Sequence, residues 1–187
     1  MDAPDRIIDA TEYGTIPSIS SRHSLVAGFV LSEPFLTPLH ARIRGRVARL
    51  LRAFVEKSRS GGVFAGVGYL LAEKPDTVRG PDVSCVGRVR LEGLDESRYI
   101  PGAPDLAVEI LSPSNRSAEI HAKVADYLAA GARLCWVVDP EQRRVAVYRE
   151  ILSPKYLAPA DMLDGGDVLP GLEIKVGSLF EALDDLR

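Results

Sequence analysis

The chain has 187 residues, 46% of them hydrophobic and 26% charged, which is an ordinary composition for a globular protein. This length supports one well-packed core, so a single domain over residues 1–187 is the simplest expectation. The formal net charge of −3 excludes a generally basic nucleic-acid coat protein, although a local basic patch is compatible with it.

Three sequence features indicate a cytoplasmic protein that does not associate with a membrane. No apolar stretch approaches the length of a transmembrane helix. The N-terminal residues MDAPDR lack the basic start and the apolar core of a signal peptide. Cys85 and Cys135 lie in apolar runs without the spacing of a zinc site, so we interpret them as buried free thiols in a reducing compartment.

The first part of the chain predicts an N-terminal arm over 1–22, an apolar strand pair from Leu25 to Leu31 and then a long helix. From about 38 to 58, apolar residues recur at helical spacing, and Gly61 and Gly62 end the helix. The other side of this helix carries five arginines, which are Arg42, Arg44, Arg46, Arg49 and Arg52.

The rest of the chain predicts mainly strands, with one further long helix. That helix spans about 118 to 130, with Ser114 or Asn115 as its N-cap and Gly131 at its end. A short helix is expected near 178–186. The order of these elements predicts an α/β fold around a mixed central sheet, whose last two strands form a hairpin. The predicted strands span 63–71, 82–86, 106–111, 134–139 and 145–149.

A carboxylate stands in the middle of the apolar strand that runs from Leu106 to Leu111. Because strand side chains alternate between faces, Glu109 is expected on the face opposite to Val108 and Ile110. An unpaired buried carboxylate is costly, so such a group normally becomes neutral, forms an ion pair or binds a metal ion.

A second carboxylate, Asp82, precedes another strand. Two carboxylates on adjacent strands can hold Mg²⁺, which prefers oxygen ligands and keeps several waters. Lys123 reaches the same site if the helix after Glu109 packs on the sheet. Three alternatives stay open: Glu109 and Lys123 form only an ion pair, Asp82 is a strand-start residue, or Lys123 forms an exposed helix pair with Glu119.

Five matches to one protein family follow each other in order along 23–182. They are PDTVRGPDVSCV (75–86), APDLAVEILSPSNR (103–116), KVADYLAAGA (123–132), WVVDP with RVAVYR, and DVLPGL near the end. Together with His40 at the start of the long helix, they resemble the Uma2-type endonucleases, a branch of the PD-(D/E)xK nuclease superfamily. The resemblance implies a restriction-endonuclease-like fold, in which helices flank a mixed central sheet and extra strands lie at the N-terminus.

The same resemblance implies an endonuclease that hydrolyses DNA phosphodiester bonds with Mg²⁺ or Mn²⁺. Asp82 and Glu109 would be the catalytic acids and would bind the metal together with the backbone carbonyl of Ile110. Lys123 would be the catalytic lysine, because Leu111 occupies the position where the superfamily commonly has it. Superfamily enzymes often dimerise, which suggests a homodimer. The residues implied near the DNA or the active site are His40, Arg42, Arg46 and Arg49.

Two departures from the family pattern leave a second function open. The resemblance places a glutamate on the first core strand, where this chain has Gly66. The N-terminal segment from His23 to Leu25 also lacks the acid of the family. The alternative is therefore a catalytically degenerate nuclease-fold protein that acts as a nucleic-acid-binding or assembly module.

Overall fold

A computed structural model of the protein describes residues 6–16, 23–32, 36–112 and 117–181. The helices of this part are α1 (Ala10–Thr15), α2 (Pro38–Ser58), α3 (Arg88–Leu91), α4 (Ser117–Ala129) and a 3-10 helix over Val176–Leu179. The strands are β1 (His23–Val26), β2 (Phe29–Ser32), β3 (Gly61–Phe64), β4 (Tyr69–Ala72), β5 (Thr77–Arg79), β6 (Val83–Gly87), β7 (Ile100–Pro101), β8 (Leu106–Ile110), β9 (Leu134–Asp139), β10 (Arg144–Tyr148), β11 (Lys155–Leu157), β12 (Met162–Asp164) and β13 (Glu173–Lys175).

The strands form a larger and a smaller sheet. The larger sheet has the order β11-β10-β9-β8-β6-β3, and its β8–β9 pair is parallel whereas the other pairs are antiparallel. The smaller sheet has the order β2-β1-β5-β4-β7, and β12 pairs separately with β13. The predicted mixed sheet and the predicted β9–β10 hairpin are therefore confirmed.

The helix α2 is defined by local sequence, and its predicted limits are confirmed. The Thr37 side chain accepts a hydrogen bond from the backbone N–H of His40, which caps the first turn. The helix ends where Arg59 adopts a left-handed backbone conformation. The buried stripe Ile43, Val47, Leu51 and Val55 follows the helical period and packs on the larger sheet.

The larger sheet separates two apolar cores. On one face, α2 packs against Val83, Leu106, Val108 and Ile110. On the other face, α4 packs against a core that contains Ala107, Cys135 and Val137. Since Glu109 alternates with Val108 and Ile110, it lies on the α4 face, as the strand periodicity predicts.

The prediction of one strand over 63–71 is wrong. The chain turns at Gly66, whose φ of +68° lies in a region that favours glycine. As a result β3 joins the larger sheet and β4 joins the smaller one. The smaller sheet also contains β5 and β7, so the expected extra N-terminal strands are only a part of it.

A buried polar contact joins the two sheets, and an N-terminal segment packs on the smaller one. The hydroxyl of Tyr69 on β4 lies 2.7 Å from Oγ of Ser84 on β6, and burial raises the pKa of the tyrosine. Within the predicted arm, Ile8 and Tyr13 are buried in the apolar cluster of the smaller sheet. This part of the arm is therefore a packed element.

Two predictions near the ends of helices fall partly outside the described residues. The 3-10 helix over Val176–Leu179 overlaps the predicted helix over 178–186 only at 178–179, and residues 182–187 are not described. The N-cap candidates Ser114 and Asn115 also lie outside the described residues. Among the described helices, none is long and apolar enough to cross a membrane.

The two cysteines are buried free thiols, as predicted. Burial raises the pKa of Cys85 and of Cys135 to about 12. Both thiols are therefore protonated and poorly nucleophilic at neutral pH.

Replacement of Leu51 by alanine should lower the free energy of unfolding by about 2–5 kcal/mol, because this side chain is fully buried between α2 and the larger sheet. Urea denaturation followed by circular dichroism measures the change. The neighbouring Arg52 is exposed, so Arg52→Ala should change the stability by less than about 0.5 kcal/mol. Equal losses in both variants would contradict the packing described for α2.

Candidate functional site

Asp82 lies immediately before β6 and is held by the α2 layer. Its Oδ2 atom accepts a hydrogen bond from the backbone N–H of Ile110 at 2.8 Å and lies 3.0 Å from Nε2 of His40. The Nε atom of Arg44 donates to the backbone carbonyl of Asp82 at 3.0 Å. Helix α2 therefore fixes both the backbone and the side chain of this acid.

Among the described residues, only one of the two carboxylate oxygens of Asp82 has hydrogen-bond partners. Within the described part of the chain, Oδ1 has no hydrogen bond, and it is not a fully buried atom. The side chain is 13% exposed. Oδ1 is thus free to contact a ligand while Oδ2 keeps the carboxylate in place.

Glu109 lies on β8, is 4% exposed and is held by the α4 layer. Its Oε1 atom accepts a hydrogen bond of 2.7 Å from the Tyr127 hydroxyl, and its Oε2 atom lies 3.4 Å from Nζ of Lys123. Lys123 and Tyr127 are four residues apart and share one face of α4. Lys123 is itself 4% exposed, so its interpretation as part of an exposed pair with Glu119 is wrong.

The strands that carry the two acids are adjacent, as predicted. Val83 pairs with Val108 in the antiparallel β6–β8 ladder, and the same register places position 82 beside position 109. The partners of the two acids nevertheless belong to opposite layers: His40 on α2 for Asp82, and Lys123 on α4 for Glu109. Over residues 6–16, 23–32, 36–112 and 117–181, no group of three or more His, Cys, Asp or Glu side chains has metal-binding spacing.

A half-buried ion pair links α4 to the smaller sheet. Arg79 on β5 donates from Nε and Nη2 to Oδ2 of Asp126, at 2.9 and 2.7 Å. Asp126 lies between Lys123 and Tyr127 on the helix. The smaller sheet therefore fixes the helix that provides both partners of Glu109.

The arginines of α2 have different surroundings, so the predicted DNA contacts are not equivalent. Arg46 donates to the carbonyl of Ser178 and to Glu181, which joins α2 to the C-terminal part of the chain. Arg42 and Arg49 are exposed and have no hydrogen bond or ion pair within the described residues. His40 is buried and contacts Asp82, so its side chain is not a helix cap.

Two residues of the site do not stand out in the sequence. Tyr127 lies in the segment 123–132, and its position four residues after Lys123 is the signal for a shared helix face. Arg79 lies 47 residues before its partner Asp126, on a strand of three residues. No local pattern marks such a contact.

Replacement of Tyr127 by phenylalanine should lower the free energy of unfolding by about 1–3 kcal/mol, because the buried Oε1 of Glu109 loses a donor while the ring is kept. Urea denaturation measures the effect. The Tyr99 hydroxyl has no hydrogen bond within the described chain, so Tyr99→Phe is the matched control and should be nearly neutral. A neutral Tyr127→Phe would show that this contact does not satisfy the carboxylate.

The comparisons with known proteins concern the family and the fold of the chain. The model of the Uma2 family, described as "Putative restriction endonuclease", matches residues 10–177. The matched region thus begins before 23 and includes α1. No curated protein matches the chain.

Among solved structures, the chain is similar to the crystal structure of "a putative nuclease belonging to DUF820" from Anabaena variabilis ATCC 29413. The sequences are 22% identical, the match covers 94% of this chain and 99% of that chain, and the TM-score is 0.81. This similarity confirms the predicted fold. With a family model that matches most of its length, the chain belongs to the Uma2 family.

Proposed function

We propose that the protein is a metal-dependent endonuclease that hydrolyses phosphodiester bonds of DNA. The observation that carries the proposal is the position of two acids beside each other on adjacent strands, Asp82 before β6 and Glu109 on β8. Membership of the Uma2 family supports a nuclease-like function. The family supports the proposed reaction class, and the two acids are the proposed location of the reaction.

The oxygen donors at this place suit Mg²⁺ or Mn²⁺. Mg²⁺ takes one or two carboxylates, keeps several waters and completes its coordination with substrate phosphates. Asp82 offers Oδ1, and Glu109 with the carbonyl of Ile110 would supply further oxygens. Since the described residues contain no third acid with suitable spacing, the protein alone should bind the cation weakly. When bound, such a cation lowers the pKa of a water and neutralises the scissile phosphate.

The side chains around the acids have separate tasks. His40 and the N–H of Ile110 hold Oδ2 of Asp82, so that Oδ1 keeps its direction. Tyr127 and Lys123 hold Glu109 from α4. The ammonium of Lys123 also provides a positive charge that stabilises negative charge on the phosphate in the transition state.

The catalytically degenerate module is the second candidate, and one observation favours it. The guanidinium of Arg44 occupies the space in which a side chain at position 66 would begin, so a cation stands where the resemblance places an acid. Without that acid, the fold would serve as a nucleic-acid-binding or assembly module.

A single domain, a cytoplasmic location and a homodimer stay predictions of the sequence.

Metal binding provides the first test. We expect weak Mg²⁺ binding and tighter Mn²⁺ binding, in line with the usual order of divalent affinities. Isothermal titration calorimetry with Mn²⁺ should show weaker binding to Asp82→Asn than to the wild type. Asp95 is a fully exposed acid with a local partner, Ser97, so Asp95→Asn should bind as the wild type does. Equal binding by all three proteins would exclude Asp82 as a ligand.

The catalytic role of the Glu109–Lys123 pair can be separated from its contribution to stability. Lys123→Met removes one partner of a buried ion pair and should cost about 3–5 kcal/mol, because Glu109 is then buried without its cation. Adding Glu109→Gln removes the second charge and should restore much of this stability. Single-turnover cleavage of plasmid DNA with Mn²⁺ should still be slower by about two or more orders of magnitude in the double variant.

The wild-type protein and the double variant decide between the candidates. A double variant that regains stability and cleaves at the wild-type rate would mean that the ion pair is only structural. A wild type that binds DNA but does not cleave it with either metal would favour the module.

A further inference from the structure

A groove of about 660 Å³ runs along the side of α2 that does not pack on the sheet. Arg44, Arg49 and Arg52 line it, and Glu56 is the acid among its lining residues. Arg49 and Arg52 are exposed and have no hydrogen bond or ion pair within the described chain. The groove is therefore a local positive region on a protein whose formal net charge is −3.

Arg44 connects the groove to the candidate active site. Its Nε atom donates to the carbonyl of Asp82, whereas its two Nη groups have no hydrogen-bond partner among the described residues. Position 66 is a glycine with φ of +68°, and a Cβ atom there would overlap with the guanidinium. The absence of a side chain at Gly66 thus lets Arg44 lie beside Asp82 with free donors.

Small residues line the groove together with the arginines. They are Ala41, Gly45, Ala48 and Ala53. Apart from the chain neighbours and the nearby backbone of α2, no atom lies within 4 Å of the place where a side chain at Gly45 would begin. A polymer backbone can therefore approach the helix closely. From Arg44 to Arg52 the helix rises by about 12 Å at about 1.5 Å per residue. This length corresponds to roughly three to four nucleotide steps of about 3.4 Å on one strand of B-DNA.

We infer that this groove binds the phosphodiester backbone of a nucleic-acid strand, with Arg44 on the phosphate next to Asp82 and with Arg49 and Arg52 on phosphates further along. The inference rests on the proposed function. It adds the path that the nucleic-acid substrate takes across the protein. Arginine suits a phosphodiester backbone because its planar guanidinium can donate two hydrogen bonds to the oxygens of one phosphate. Arg46, which is bound to Ser178 and Glu181, does not take part.

The salt dependence of DNA binding tests the inference without any need for cleavage. A short fluorescein-labelled DNA duplex is titrated with protein in EDTA at several NaCl concentrations, and anisotropy gives the affinity. Each lost phosphate contact lowers the slope of log K against log[NaCl] by about 0.9. The variant Arg49→Ala/Arg52→Ala should therefore lower it by about 1.8.

A charge-matched control removes the effect of net charge alone. Arg88 and Arg98 are exposed and do not line the groove, so Arg88→Ala/Arg98→Ala loses the same charge and should keep the wild-type slope. Equal slopes in the two double variants would overturn the inference, as would a wild type that does not bind the duplex. If the wild type cleaves DNA while the slopes are equal, only the groove is wrong. If the slopes differ while no metal supports cleavage, the groove stands and the endonuclease proposal fails.

Discussion

The buried carboxylate of Glu109 is the constraint on which the arrangement of the site depends. A charge in an apolar strand is tolerated only when its oxygens find donors, and α4 provides Lys123 and Tyr127 as donors to Glu109. Helix α4 in turn is fixed by the pair between Arg79 and Asp126, so the smaller sheet contributes to the same site. The contacts of Glu109 thus link β8 to α4 and, through α4, to the smaller sheet. A buried ion pair is in general no better for stability than an apolar replacement of similar size, so stability alone does not account for it.

Asp82 complements Glu109 because the carboxylate oxygens of the two acids have different hydrogen-bond partners. Glu109 is held by two side chains of α4. The Oδ2 atom of Asp82 contacts α2 and β8, whereas its Oδ1 atom has no hydrogen bond within the described chain. A cation would then meet a site with one accessible acid and one acid already neutralised by a lysine. Such a site suits a cation that is completed by waters and by substrate phosphate. This asymmetry is compatible with the lack of a group of three or more metal-binding side chains among the described residues.

Local patterns in the sequence predict the parts of the fold that local interactions determine. The limits of α2 follow from its apolar period and its Thr37 cap, and the face of Glu109 follows from strand alternation. The break between β3 and β4 is not visible in the apolar pattern of 63–71, because it depends on one backbone angle at Gly66. Strands as short as β5 and β7 have too few residues for a periodic signal. The contact of Arg79 with Asp126 depends on how two distant elements pack, which a sequence pattern does not encode.

The contact between Gly66 and Arg44 changes how the lack of an acid at position 66 is interpreted. A carboxylate introduced at position 66 would first meet the guanidinium that already fills this space, and would pair with it before it could serve as a metal ligand. It would also have to adopt a backbone conformation that residues other than glycine rarely take. The two positions therefore act as one unit, in which the loss of a side chain at 66 places a cation next to Asp82. In this chain, the charge beside the scissile phosphate would be balanced partly by an arginine, which reduces the need for a second metal ion.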